Sequence, residues 1–308
     1  MSSEDNAPSS GNSLPLPFDH GSGSLPVSSV FGPTGAVTGT GDNHIPVDMI
    51  LLSSDYVVFY THEATLLTAS NNSFRNLLPL PKRGDPLNRA VFVPEISSPE
   101  LEVMLQSIHN VPRGGFSVGS DIEPVMKGVA RLWECGISPR DCITPTTHLY
   151  QYLLFCAPIH PLEVYALAAQ YGMVSLAVTT SSHTLVLDLS EISDELLRRM
   201  GAIYLLRLHQ LHMERTETLK EMLVGELGLH NPTARCGFVG QRRLKENWNM
   251  AVASLLFLIK PDTTTSLIRE KILEYTADLP CPDCIGLRDS LLSKIISKWS
   301  VTRRTINV

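Results

Sequence analysis

The pattern of apolar and polar positions predicts a hairpin and then a helix early in the chain. Apolar runs at 49–52 and 56–60 flank the polar turn signal Ser53-Ser54-Asp55. Since the second run is also rich in β-branched and aromatic residues, the pair favours two antiparallel strands. After His62, apolar residues recur at the spacing of a short helix. We therefore expect two strands and a helix within about residues 48–70.

The pattern next predicts a short helix, a third strand and further helices. The short helix is expected at 72–78, and the strand at 90–95, where Pro94 ends it. Ser98-Pro99-Glu100 has the serine cap, early proline and acidic first turn of a helix start. A capping box, Ser120-Asp121-Ile122-Glu123, predicts a helix over about 121–135. Helical spacing then resumes at about 146–157 and again from His160-Pro161.

The two ends of the chain contrast in their patterns. Residues 1–45 are rich in Gly, Ser, Pro and Asn and lack a sustained apolar period, so we expect a disordered tail. From about residue 190 the spacing is helical throughout. The helices predicted there cover about 194–224, 241–260, 264–277 and 283–299.

Several of these stretches together resemble a BTB/POZ domain. Phe59 and His62 match the phenylalanine and histidine that lead from the second strand into the first helix of that family. The stretch 104–110 resembles the end of the third BTB helix, with His109 where tyrosine is usual. The stretch 162–177 resembles the closing helical pair, and 200–205 with 299–306 resembles a fungal BTB group with a helical C-terminal extension.

This resemblance implies an α+β fold, a BTB/POZ-like small sheet surrounded by helical hairpins and followed by an all-α C-terminal domain. The expected limits are 46–188 for the BTB-like domain, with an insertion at about 111–150, and 189–308 for the helical domain. The structural family motif is Phe59 with His62.

The resemblance also implies a non-enzymatic protein-interaction module, an adaptor or scaffold that forms a homodimer or binds another BTB-type protein. Its implied contact surface is the first strand and first helix. The candidate partner-binding residues are Met49, Ile50, Leu51, Thr65, Leu66 and Ala69. Many BTB proteins recruit cullin ubiquitin ligases, and His109 departs from the pattern that supports this role. A monomeric scaffold remains an alternative.

Composition and charge narrow the classes of partner. The formal net charge is −6, so the chain has no general attraction for nucleic acid or anionic lipid. The first basic residue is Arg75, so neither a secretory nor a mitochondrial address is visible. The longest apolar run, 251–259, is too short to span a membrane. We expect a cytoplasmic or nuclear protein whose six cysteines are reduced.

Two clusters of residues could bind a metal ion or catalyse a reaction. Cys281-Pro282-Asp283-Cys284 lies at a predicted helix start, and the fungal group carries an upstream cysteine that matches Cys236, with His230 nearby. Three cysteines and one histidine suit a closed tetrahedral structural zinc site. The alternatives are unligated thiols, or a thiol-redox enzyme that uses Cys281 and Cys284.

The second cluster, Gly115-Phe116-Ser117-Val118-Gly119, matches the nucleophile elbow of serine hydrolases. That motif requires a buried strand before the serine, whereas Pro112-Arg113-Gly114 precedes it here. A surface loop is therefore the preferred interpretation, and a hydrolase that uses Ser117 is the alternative.

Overall fold

A computed structural model describes the chain over residues 24–33, 47–80, 89–112, 121–225, 227–234 and 236–308. In these ranges the fold is α+β, with one small mixed sheet and many helices. The sheet contains β1 (Met49–Ser53), β2 (Val58–Thr61) and β3 (Ala90–Val93), in the order β2-β1-β3. β1 is antiparallel to β2 and parallel to β3.

The predicted hairpin is confirmed, and its register explains how the sheet meets the core. Leu51 lies opposite Phe59 on one side and Val91 on the other, and all three side chains are buried. Because successive strand residues point to opposite faces, Met49 shares the buried face with Leu51, whereas Ile50 lies on the other face and is partly exposed. The sheet thus packs one apolar face against helices.

Between the hairpin and the C-terminal region, the described residues form eight helical segments. They are α1 (Glu63–Ala69), α2 (Ser73–Asn76), α3 (Ser98–His109), α4 (Glu123–Glu134), α5 (Pro139–Cys142), α6 (His148–Cys156), α7 (Pro161–Gln170) and α8 (Val174–Ser181). Two 3₁₀ turns, Ser182–Val186 and Leu189–Glu191, lead onward. The predicted helical C-terminal region is confirmed as α9 (Asp194–Val224), α10 (Phe238–Leu256), α11 (Thr265–Tyr275) and α12 (Pro282–Ser300).

Helix α2 differs from the right-handed helix predicted at 72–78. All four of its residues have φ between 52° and 60°, so it is a left-handed turn. Side chains that precede it stabilise this turn: Ser70 Oγ accepts a hydrogen bond from Phe74 N at 2.7 Å, and Asn72 Oδ1 accepts one from Arg75 N at 2.9 Å. The turn directs Phe74 into the core, where its side chain is fully buried.

Two helix starts also differ from their predictions. The cap of α3 is Ser97 rather than Ser98, and it forms a reciprocal capping box with Glu100. α4 begins after Ile122 without a side-chain cap, while Asp121 Oδ1 accepts the Glu123 N–H at 2.9 Å. Neighbouring residues of similar capping ability therefore shift a boundary by one or two positions.

Most of the buried apolar residues form two large cores that share α9. The first core contains the sheet, α1 to α8, and the α9 residues Met200, Leu208 and Leu211. The second core contains Leu219 and Leu223 of α9 together with α10, α11 and α12. The predicted boundary at 188/189 precedes α9, and α9 itself contributes to both cores.

Residues 24–33 belong to the predicted tail, and the structure packs them along the outer edge of β2, with Phe31 fully buried. Elsewhere within residues 1–45 the chain lies outside the described residues. None of the helices in the described ranges combines the length and apolarity that crossing a membrane requires.

Gly128 sets the close approach of α4 to α3, and its substitution tests that packing. A Cβ at position 128 would lie 2.6 Å from Val103 Cβ and 3.0 Å from Glu100 O. We expect Gly128→Ala to lower the free energy of unfolding by about 1–3 kcal/mol, because two backbones must separate. Gly286 in α12 has open space around it, so Gly286→Ala should raise stability by about 0.5–1 kcal/mol. Urea unfolding of both variants measures the contrast, and equal effects would contradict it.

Half-buried His109 and buried His212 predict that the protein loses stability in acid. Burial is the main cause that lowers the pKa of His109 to about 4 and that of His212 to about 4. Between an unfolded pKa near 6.5 and pH 4, the unfolded chain binds protons that the native state does not, so stability falls as pH falls. We expect the urea unfolding free energy to drop from pH 7 to pH 5. The drop should be smaller in His212→Gln, and an equal drop would contradict this role for His212.

Candidate metal centre

His230, Cys236, Cys281 and Cys284 converge at one place in the C-terminal region. One ligand atom from each residue lies within 4.8 Å of all the others. Among the described residues, no other group of three or more His, Cys, Asp or Glu side chains has such a geometry. These four side chains could hold a metal ion such as zinc.

Local structure brings each ligand to the site. Cys281 is the N-cap of α12 and Cys284 lies in its first turn, so the Cys-x-x-Cys spacing places both sulfurs at one helix end. Cys236 closes a tight turn in which its N–H and C=O pair with the C=O and N–H of Thr233. Gly237, the N-cap of α10, follows directly. The site thus joins the starts of two helices.

Three of the distances between these ligand atoms are close to those of tetrahedral coordination, and all of the separations are within 4.8 Å. With Zn–S near 2.3 Å and Zn–N near 2.0–2.1 Å, a tetrahedron has S···S separations of about 3.8 Å and S···N separations of about 3.6 Å. Cys236 Sγ lies 3.7 Å from Cys284 Sγ. His230 Nε2 lies 3.6 Å from Cys281 Sγ and 3.3 Å from Cys284 Sγ. A small shift of the His230 ring would lengthen the shortest of these distances, from Nε2 to Cys284 Sγ, to the tetrahedral value.

The hydrogen bonds of His230 leave the correct nitrogen for a metal. Its Nδ1 lies 2.7 Å from the carbonyl oxygen of Asn231. Since a carbonyl only accepts, Nδ1 carries the proton, and in the neutral ring Nε2 presents a lone pair toward the sulfurs. Gln241, which is buried, donates from Nε2 to the carbonyl of His230 at 2.8 Å. These two contacts fix the position and tautomer of the ligand.

The thiols differ in how readily they lose their protons. Hydrogen bonding from the backbone of Cys284 lowers the pKa of Cys281 to about 7. Burial raises the pKa of Cys284 to about 12 and also raises that of Cys236. A helix N-terminus that donates N–H groups to Cys281 is the surrounding that stabilises a thiolate, the form in which cysteine binds metals.

The site is enclosed by apolar side chains and packed tightly on one side. All three cysteines are buried and belong to a small third core with Leu244 and Leu279. At Gly240, in the first turn of α10, an added Cβ would lie 3.0 Å from Cys236 Sγ. Four protein ligands in a closed, buried site are typical of structural rather than catalytic zinc.

The predicted partner-binding residues divide into two groups. Met49, Leu51 and Leu66 are at most 1% exposed and lie in the first core, so they present no surface to a partner. The other three, Ile50, Thr65 and Ala69, are partly exposed.

On the exposed side of α1, a shallow groove of about 380 Å³ is lined by Ala64, Thr65, Thr68, Ala69 and Ile108. It adjoins the part of the predicted partner surface that solvent reaches.

The remaining predicted residues lie at defined places. Phe59 is buried in β2, and His62 is the buried N-cap of α1. His109, at the end of α3, has Nε2 3.0 Å from Thr61 Oγ1. Ser117 and the motif around it lie outside the described residues.

The sequence patterns did not predict the residues that hold the metal ligands in position. Gln241 and Asn231 hold His230, yet no local pattern marks either as part of a site. One sequence signal was available, since Gln241 stands one helical turn before Leu244 and so falls on the apolar face of α10.

Scans of the chain against protein-family models, curated proteins and solved structures found no match.

Metal content provides the direct test of this centre. We expect protein purified without chelator to carry about one zinc per chain, because four suitable donors are already arranged around one point. Cys284→Ser should lose most of the metal and unfold at lower temperature. Cys142→Ser is the matched control, since Cys142 is a free cysteine outside the cluster. Elemental analysis and thermal unfolding measure both effects, and a zinc content below about a tenth per chain would contradict the site.

Proposed function

We propose that the protein is a non-enzymatic interaction module. In this proposal a BTB/POZ-like N-terminal unit associates through the exposed side of α1, and a structural zinc ion stabilises the C-terminal helices. The observation that carries the proposal is the groove at Ala64, Thr65, Thr68, Ala69 and Ile108. Small side chains there let another helix approach closely.

The topology supports a BTB/POZ-like unit. A hairpin leads through a buried histidine into a helix, and the third strand joins the sheet parallel to the first. In further support, Phe59 lies in β2 and His62 is the N-cap of α1. Helix α3 follows the third strand, as it does in that family.

A second copy of this chain is the proposed partner. A symmetric interface places the same surface on both subunits, and α1 offers a face whose residues are small and uncharged. Ile50 and the partly exposed positions of α1 remain candidates for the contact. Recruitment of a cullin is the less supported role, because His109 departs from the family pattern and is half-buried, with Nε2 3.0 Å from Thr61 Oγ1.

The proposed role of zinc is to fasten the starts of α10 and α12 together. The third core around the cysteines contains few apolar residues, so metal coordination would supply much of the local stability. A thiol-redox role for Cys281 and Cys284 is less favoured, because a third cysteine and a histidine lie within ligand distance of them.

Spectra of the cobalt-substituted protein should therefore show a tetrahedral thiolate site.

A charge placed on α1 tests the association. We expect the wild-type protein at micromolar concentration to have twice the chain mass in light scattering. Thr65→Arg should give a monomer, because a two-fold axis would bring two like charges together in a packed contact.

Thr179→Arg is the control for that experiment, since Thr179 is an exposed helical threonine on α8, away from the groove. It should remain dimeric. A wild-type monomer, or a dimer that Thr65→Arg leaves intact, would overturn the proposed interface.

A further inference from the structure

A cavity of about 480 Å³ lies beside α9, between the first core and the second. Three stretches of the chain line it: residues 185–190, one face of α9, and residues 259–261, which follow α10. Leu185 on its wall belongs to the first core, whereas Ile259 packs against the second. The volume falls within the range of about 300–1,000 Å³ in which proteins bind small molecules.

Hydrogen bonds hold the walls of this cavity in place. The Asp188 carboxylate accepts the Ser190 N–H at 2.9 Å and the Ser190 hydroxyl at 2.7 Å, which orders the turn before α9. Arg215 Nε donates to Pro261 O at 2.6 Å and so fixes the chain after α10 against α9. Small-molecule sites are usually formed in advance in this way.

His212 is the polar side chain of the cavity whose hydrogen-bonding capacity is not used. It lies in α9, lines the cavity and is only 7% exposed. Its Nε2 is buried, and within the described part of the chain no group forms a hydrogen bond with it. Burial lowers the pKa of His212 to about 4, so the ring is neutral at pH 7. Because an unpaired buried nitrogen is unfavourable, a ligand that pairs with it gains affinity.

The other lining residues indicate the chemical class of that ligand. Val186 and Met213 are apolar and each 60% exposed, so they offer contact area to an apolar ring. Asp188 and Glu217 outnumber Lys260 among the charged lining residues, so the cavity does not favour an anion. A neutral imidazole nitrogen donates or accepts according to its tautomer, and a hydroxyl group suits both cases.

We propose that this cavity binds an uncharged, ring-containing alcohol or phenol, whose hydroxyl pairs with His212 Nε2 and whose ring lies against Val186 and Met213. His212 is then the residue that determines specificity. The site shares no lining residue with the groove on α1 or with the metal centre. Each of the three can therefore fail without the others.

Two probes of nearly equal shape test the hydroxyl contact in the full chain. Wild type should bind 2-naphthol about tenfold more tightly than 2-methylnaphthalene, because the methyl group leaves the buried nitrogen unpaired. In His212→Leu the affinity for 2-naphthol should fall about tenfold, and the preference between the probes should disappear. His148→Leu is the matched control, since His148 is exposed on α6 and does not line the cavity.

Three results of this titration would overturn the proposal. The first is the lack of saturable 2-naphthol binding to wild type. The second is a preference for 2-naphthol that persists in His212→Leu. The third is tighter binding of 2-naphthoate than of 2-naphthol, which would contradict the uncharged class.

A pair of surface variants keeps the test decisive if His212→Leu does not fold. Met213→Glu should weaken 2-naphthol binding by about threefold or more, because it replaces apolar contact area with a charge. Ile203→Glu should leave binding unchanged, since Ile203 is 67% exposed on the same helix but does not line the cavity. In wild type, 2-naphthol should also shift the ¹⁵N resonance of His212 Nε2. Equal effects of the two variants, or binding without that shift, would contradict the site.

Discussion

The buried guanidinium of Arg215 holds together the parts of the structure that meet around α9. Its Nε donates to Pro261 O at 2.6 Å, and its Nη1 donates to Thr302 O at 2.9 Å and Arg303 O at 2.6 Å. The same group stacks 4.2 Å from the ring centroid of Trp299. Burial lowers the pKa of Arg215 to about 10, so it keeps its charge at neutral pH. Charged donors to three carbonyls are strong bonds, and they fix the chain after α12 against α9.

Most helices and strands could be predicted from the sequence, but the contacts between residues far apart in the chain could not. Two apolar runs on either side of a polar turn signal located β1 and β2. Along β1, Ile50 points to the face opposite Met49 and Leu51 and is partly exposed, although Leu52 on the same face as Ile50 is buried. The left-handed turn at Ser73–Asn76 was missed because it depends on Ser70 and Asn72 side chains that bond forward to the backbone. Phe31 was missed because a single aromatic residue among Gly, Ser and Pro has no period.

At the candidate metal centre, too, the sequence indicated the residues but not how they come together. Residue type and Cys-x-x-Cys spacing selected Cys281 and Cys284, whereas the resemblance to a fungal BTB group selected Cys236, with His230 nearby. Their convergence depends on the chain bringing the starts of α10 and α12 together, which no local pattern encodes. The supporting contacts of His230 are local in sequence, since they come from its neighbour Asn231 and from Gln241 in the first turn of α10. The groove on α1 adjoins the first core and the candidate metal ligands lie in the third, whereas α9 links the first core to the second.

The return of the chain to its first core has a consequence for synthesis on the ribosome. Ile306 is buried in that core, and its N–H donates to Ser181 Oγ at 3.0 Å across 125 positions of sequence. During translation, the apolar surface of α7 and α8 would stay exposed until α9, and then the stretch beyond α12, had been synthesised and had packed against it. Contacts of such long sequence separation slow folding, so a nascent chain would expose apolar helix faces for longer than one built from local contacts.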